Sequence, residues 1–134
     1  MTLHVELVSP DQVDFSGEAQ MVIARTLDGD IAFMEGHVPF IGALASAPLR
    51  IIGADGSEQV IAVHQGFVEV SPTTEEGTRV TVLSDTSELA GDIDVARATK
   101  ARDAAEAALK ENAEDADAAF ALRRAQVRLA VASG

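Results

Sequence analysis

Residues 88–98, Glu88-Leu89-Ala90-Gly91-Asp92-Ile93-Asp94-Val95-Ala96-Arg97-Ala98, mark the point where this chain changes character. Before them lie short β-branched runs cut by Asp-Gly and Pro turns. After them proline is absent, and alanine occurs sixteen times between Ala90 and Ala132. Charge divides at the same place: residues 1–88 set Arg25, Arg50 and Arg79 against fourteen acidic groups, whereas residues 89–134 carry seven basic and eight acidic groups. The expectation is two domains, an acidic β unit over residues 1–88 and a nearly neutral helical hairpin over 89–134. Alanine-rich helices hold their backbone by propensity but bury little apolar area. Such a pair docks and releases at low cost, which suits a switch.

The stretch before the break reads as strands. Leu3, Val5 and Leu7 alternate with His4 and Glu6, the period of a half-buried strand. Phe15-Ser16-Gly17-Glu18 reads as a turn and Met21–Arg25 as the next strand. Asp28-Gly29 and Asp55-Gly56 read as type I′ hairpin turns. Pro39, Pro48 and Pro72 belong at strand edges or in loops. Val60-Ile61-Ala62-Val63 is continuously apolar and therefore central, and Phe67–Val70 and Val80–Leu83 complete the set. Roughly eight to ten short strands with turn signals between them predict an antiparallel β-sandwich or flattened barrel.

The stretch after the break reads as two helices. With Asp92 as N-cap and Asp94 in the first turn, helix one runs over about Ile93–Lys110. Glu111–Asp115 forms the loop, and helix two covers about Asp117–Ala132, with Phe120, Val127 and Val131 on its apolar face. So short a loop makes the helices antiparallel neighbours. The fold class is α+β: a sandwich followed by a two-helix hairpin.

Bulk properties exclude several functions. A net charge of −12 argues against a nucleic-acid surface, which needs clustered Lys and Arg. With no cysteine there is no disulfide framework and no thiolate metal site. His4, His37 and His64 lie far apart without metal-ligand spacing, and no Gly-x-Ser-x-Gly elbow or glycine-rich phosphate loop occurs. The expectation is no catalytic residue, no metal and no required cofactor. The N-terminus lacks the basic and apolar stretches of a signal peptide, and the longest apolar run, near Phe40–Ala45, is far short of the ~20 residues that span a bilayer. The chain reads as soluble, serving any membrane machine through a partner.

Two features stand out. In Asp28–Pro39, the large apolar Phe33 and Met34 sit among turn formers, flanked by Asp30, Glu35 and His37. They either form an exposed protein-binding edge or plug the end of the sandwich. On the helices, Arg124 and Arg128 are four apart and share a face. The hairpin brings Arg97 close to Arg128, with Arg124 one turn away. These guanidiniums either pair with Asp94 and Glu88 or receive an anion between them. An opened hairpin frees them for an acidic partner.

With these residues laid out, the chain resembles the epsilon-subunit family of the rotary F-type ATP synthase over nearly its whole length. Val8-Ser9-Pro10 and Phe15-Ser16-Gly17 open the resemblance. Gly36-His37-Val38-Pro39 is similar to the family's Gly-His-x-Pro signature, and Gly66-Phe67-Val68-Glu69-Val70 to its Gly-Gly-Phe-x-Glu-Val strand. Ile93-Asp94-Val95-Ala96-Arg97-Ala98 fits its Ile/Leu-Asp-x-x-Arg-Ala pattern, and Leu122-Arg123-Arg124-Ala125-Gln126-Val127-Arg128-Leu129 resembles the end of helix two in ATP-binding members. Three departures are Met34-Glu35 in place of Leu-Pro or Tyr-Pro, Gln65 in place of glycine, and Ala104 where ATP-binding relatives carry a further arginine.

The resemblance implies a non-catalytic central-stalk subunit at the cytoplasmic face of a bacterial plasma membrane. Its sandwich would bind the gamma subunit and rest on the c-ring through Asp30, Phe33, Met34, Glu35 and His37, coupling rotation to catalysis in the alpha–beta head. Its helices would inhibit ATP hydrolysis when extended, with Arg123, Arg124 and Arg128 facing an acidic segment of the beta subunit. ATP, as a regulatory ligand, would sit among Glu88, Ile93, Asp94, Arg97, Ala98, Arg124 and Arg128 of the folded hairpin. The competing expectation is a free-standing β-sandwich interaction module with a helical tail that binds a partner.

Overall fold

The alternation of Leu3, Val5 and Leu7 buries all three completely, and this first strand sets the pattern of the sandwich. The computed structural model describes residues 3–73 and 77–133. Among them the strands are β1 Leu3–Ser9, β2 Gln12–Ala19, β3 Met21–Thr26, β4 Gly29–Phe33, β5 Phe40–Leu44, β6 Ala47–Ile52, β7 Glu58–Thr73 and β8 Gly77–Leu89. A single 3₁₀ turn, Ala90–Asp92, leads to helices α1 Val95–Glu111 and α2 Ala116–Ser133.

The strands run in the order β2-β1-β8-β7-β5-β3-β4, and β6 bridges β3 and β7, so that β7, β5, β3 and β6 close a ring. Every pairing is antiparallel except β1 with β8, so the sheet is mixed rather than purely antiparallel. Phe33, Leu3, Leu7, Leu49 and Ile61 are the bulkiest of its fully enclosed side chains.

Several local expectations need correction. Phe15-Ser16-Gly17-Glu18 lies inside β2, and the turn before it is Pro10-Asp11, between the paired Ser9 and Gln12. Neither Asp-Gly pair forms a type I′ turn, because Gln65 is the only described non-glycine residue with positive φ. Leu27-Asp28 make the β3–β4 connection, between the paired Thr26 and Gly29. After Ile52 the Gly56 amide donates to the Gly53 carbonyl at 2.9 Å, with Gly56 itself at φ +84°. That is the geometry of a longer loop ending in a left-handed glycine. Pro48 and Pro72 lie within strands, but at stretches where the ladder gives them only one neighbour, Ala62 and Thr78 respectively.

The two apolar runs Val60–Val63 and Phe67–Val70 belong to one 16-residue strand, β7, and β8 extends well past Leu83 to Leu89. Two strands are therefore long where short ones were expected. The pleat of β7 changes phase partway. Ile61 and Val63 face the core in its first half, Val68 and Val70 in its second. Between the pairs His64–Thr86 and Gly66–Ser84, Gln65 and Asp85 drop out of the ladder. Gln65 takes φ +65° and Gly66 φ +133°. A Cβ on Gly66 would stand 2.0 Å from the Leu83 carbonyl oxygen, so only glycine fits.

The helices form by propensity and are fixed by their caps. Asp94, not Asp92, caps α1, its side chain accepting from the Arg97 amide at 3.0 Å. Asp115 receives the Ala118 amide at the head of α2. Ala98 and Ala105 on α1, and Ala118 and Ala125 on α2, each two turns apart, supply the buried alanines of the hairpin. Ile93, Val127 and Val131 pack on Ala62 of β7 and attach the pair to the sandwich. Phe120 continues the stripe of Val127 and Val131 but is 54% exposed, which corrects its place in the apolar face.

Holding glutamine in the left-handed region costs about 1–2 kcal/mol, part of which glycine gives back as unfolded-chain entropy. Gln65→Gly is therefore expected to raise stability by about 0.5–1 kcal/mol, read as a higher urea midpoint with an unchanged slope. Gly66→Ala is expected to lower that midpoint sharply.

Candidate functional site

The turn from β8 into α1 builds a cleft of about 240 Å³ lined by Glu88, Asp92, Asp94, Arg97, Ala98, Ala101 and Arg128. Glu88 enters from the end of β8, Asp94 and Arg97 from the capped first turn of α1, and Arg128 from α2. Arg128 Nε donates to Glu88 Oε1 at 2.5 Å, and His64 Nε2 lies 3.2 Å from the same oxygen. The Arg97 guanidinium has no ion pair among the described residues, although its own amide caps onto Asp94.

The structure thus gathers five of the residues expected together, Glu88, Asp94, Arg97, Ala98 and Arg128, and leaves out two. Ile93 is 8% exposed and belongs to the apolar contact under the helices, so its side chain is not presented to the cleft. Arg124 does not line the cleft and acts on His64 instead, where its charge opposes protonation of the ring. Arg102, the cation nearest Ala104, pairs with Asp103 at 3.1 Å. The lining holds three carboxylates against two guanidiniums, so an anion entering it meets its positive groups already partly neutralised. Asp92 and Ala101 also line the site: Asp92 joins it through the 3₁₀ turn, and Ala101, one helical turn after Arg97, could have been found from that spacing.

The arginines of α2 hold the hairpin in place. Arg123 Nε donates to the Ser46 carbonyl at 3.0 Å, tying α2 to the connection between β5 and β6. Arg128 ties it to β8 through Glu88.

The segment from Asp30 to Pro39 forms a second candidate surface at the far end of β7 and β8. Asp30 and Arg25 form a two-pronged pair at 2.8 and 3.2 Å, which holds the Asp30 carboxyl below the usual carboxylate range. Glu35 accepts from the Thr78 amide at 3.3 Å, and the Gly36 amide donates to Thr78 Oγ1 at 2.8 Å. Gly36 takes φ +85°, which accounts physically for the glycine of the Gly-His pair. His37 sets its ring edge-on to Phe33 at 5.0 Å. Phe33 itself is fully buried: it plugs the end of the sandwich and cannot touch a partner, which corrects its place in the expected contact. Met34 and Val38 are exposed.

A third surface appears only with the register. Ala43, Phe67, Leu83, Val8 and Val13 are successive cross-strand partners on β5, β7, β8, β1 and β2. They form one apolar row on the outer face, roughly 19 Å long at ~4.8 Å per strand. Val13, Phe67 and Leu83 are half-exposed or more, as is Ile41 beside them. Sequence alone hides this row because its members come from five segments.

Comparison with known proteins follows the same outline. Residues 2–90 match the family described as ATP synthase, Delta/Epsilon chain, beta-sandwich domain. The chain is 46% identical to the ATP synthase epsilon chain of Brevibacillus brevis, over 84% of this chain and 82% of that one. It is 44% identical to the ATP synthase epsilon chain of Streptomyces griseus, over 95% of this chain and 92% of that one. A chain in the structure of the Euglena gracilis mitochondrial ATP synthase superposes with a TM-score of 0.80 at 20% identity, covering 99% of this chain and 82% of that one, a likeness of fold.

Proposed function

Because the chain belongs to the ATP synthase epsilon-chain family, a family of non-catalytic subunits, we propose that it is a central-stalk subunit of a proton-translocating ATP synthase. The sandwich, residues 1–88, binds the gamma subunit and the c-ring, and the helices, residues 89–134, regulate ATP hydrolysis. The observation that carries the reading is the exposed apolar row from Ala43 to Val13. An antiparallel hairpin packs outside the first half of β7, at Ala62, and leaves this row open beyond it. A continuous apolar row on an otherwise acidic sandwich is a surface made for a protein partner. It favours a subunit in a permanent complex over a free-standing module.

The end carrying Asp30, Met34, Glu35 and His37 then faces the c-ring, with Met34 as its apolar contact and Phe33 as the plug behind. No described helix is long and apolar enough to cross a membrane, so attachment at the cytoplasmic face of a bacterial plasma membrane runs through that ring. The row and the loop are separate surfaces, which lets one sandwich hold both partners at once.

Regulation follows from the weakness of the helical contact. The apolar attachment is small, and two of its polar anchors are Arg123 and Arg128. Released, the 35 helical residues reach roughly 50 Å at 1.5 Å per residue, far enough to enter the alpha–beta head. Arg123, Arg124 and Arg128 then face an acidic stretch of the beta subunit. ATP bound in the cleft between Arg97 and Arg128 favours the docked form by differential binding. The carboxylates there, together with Ala104 in place of a further cation, keep that binding weak.

Three outcomes are expected. Phe67→Asp with Leu83→Asp places charge in the apolar row and abolishes co-purification with gamma while the circular dichroism of the chain is unchanged; retained binding assigns gamma to another face. Removing residues 89–134 from the assembled enzyme raises ATP hydrolysis several-fold, and an unchanged rate ends the regulatory reading. In calorimetry ATP binds the chain with a Kd of the order of millimolar, ~4 kcal/mol, and Arg97→Ala loses most of the heat. Equal binding by that variant leaves Arg97 without a role toward the nucleotide.

A further inference from the structure

His64 lies outside the family motifs and outside the lining of the cleft. It sits on the outward side of β7, 4% exposed, beneath the end of the sandwich that the helices cover. Its Nε2 is 3.2 Å from Glu88 Oε1, the oxygen that Arg128 Nε reaches from α2 at 2.5 Å. One carboxylate oxygen therefore joins β8 to β7 and to α2. His64 Nδ1 is buried and has no hydrogen-bond partner among the described residues.

A neutral ring satisfies this arrangement. Its Nε2–H donates to Glu88, and Nδ1 keeps a lone pair. A protonated ring carries N–H on both nitrogens. The second N–H would then be buried without an acceptor, and the new charge would stand in the field of Arg124 and Arg128.

We propose that His64 is a proton-sensitive latch beneath α2, whose protonation releases the helix pair from the sandwich. The latch deepens the regulatory reading of the helices and rests on it. The charged groups around the ring oppose one another. Glu88 on β8 favours the cation, and Arg124 and Arg128 on α2 disfavour it. Asp92 of the 3₁₀ turn, with Asp94 and Arg97 of α1, faces Glu88 across the cleft. Burial, followed by Arg128, prevails over Glu88 and holds the proton affinity of the docked ring below that of an ordinary histidine.

The sign follows from linkage. In the released form His64 meets water and titrates near the ordinary value of 6.5. The released form therefore binds the proton more readily than the docked one. Docking is strongest above that value and weakens as pH falls through it. The docking constant drops by up to about tenfold per pH unit until the docked ring itself becomes protonated.

The cysteine-free chain allows a direct test. Spin labels on Glu69→Cys and Lys110→Cys in the full chain report the distance between sandwich and hairpin. The short-distance docked population is expected to fall severalfold between pH 7.5 and 5.5, and to stay level across that range in the same chain carrying His64→Gln. Titration of the His64 ring by NMR supplies an independent reading, with a midpoint below the ordinary histidine value of 6.5. A pH-independent docked population in the parent chain overturns the latch, as does an undiminished pH dependence in His64→Gln or a ring midpoint at or above the ordinary value of 6.5. ATP hydrolysis indifferent to residues 89–134 would instead overturn the regulatory reading, and the distance measurement would still judge the latch on its own.

Discussion

Because a β-strand shows alternate residues to its two faces, the single unpaired step at Gln65 and Asp85 decides what the outside of the sandwich presents. Before the step, β7 turns Ala62 and His64 outward, small and polar groups on which helices can settle. After it, the same strand turns Phe67 and Glu69 outward and keeps Val68 and Val70 in the core. Without the change of phase, Val68 and Val70 would face solvent and Phe67 would enter the core. The glycine that permits it touches the Leu83 carbonyl so closely that no side chain could replace it. The face that receives the helices and the exposed apolar row are thus laid on one strand pair by one local distortion.

Much of this was legible beforehand. The periodicity of β1, the central place of Val60–Val63 and the change to helix after Leu89 follow from burial patterns that a linear sequence carries. What the sequence hid was whatever depends on register or on a choice between chemically equal candidates. Asp92 and Asp94 are both good caps, and only the path of the 3₁₀ turn selects the second. Gln65-Gly66 resembles a loop between two strands and is in fact a distortion within one. Phe33 was ambiguous between an exposed edge and a plug, because composition gives its neighbours but not the opening they surround. In the candidate site, the meeting of Arg97 with Arg128 was legible from hairpin geometry. The role of Arg124 was not, since one turn of helix moves a guanidinium from the lining of the cleft to where its charge bears on His64.

The helical attachment combines two kinds of contact with different responses. Ile93, Val127 and Val131 supply a modest apolar contact that is indifferent to charge. Glu88, bound from two sides by His64 and Arg128, supplies a polar contact at the edge of that patch. Removing one partner from a part-buried ionic contact costs more than the contact contributes when complete, because the remaining charge is left unsatisfied. The hairpin is therefore poised: its apolar contact brings the helices to one position, and the state of the polar cluster determines how firmly they stay. The alanine seam between α1 and α2 lies elsewhere, so the hairpin can leave the sandwich without its own packing being the first thing to break.

The parallel pairing of β1 with β8 sets the order of events when the chain is made. His4 lies beside Arg79 and Val8 beside Leu83, partners separated by most of the sandwich sequence. β1 and β2 can form a local hairpin early, but they have no place in the sheet until β8 has left the ribosome. Closing so long a loop carries a conformational entropy cost that short hairpins avoid, and structures dominated by distant contacts fold slowly. The platform that receives α2 is different: Ala62 and Glu88 are cross-strand partners within the β7–β8 hairpin, away from the stretch of β8 that pairs with β1, so it does not depend on that closure. In the newborn chain the helices, which form within microseconds, meet their platform on a neighbouring hairpin, while β1 and β2 wait for their place beside the other half of β8.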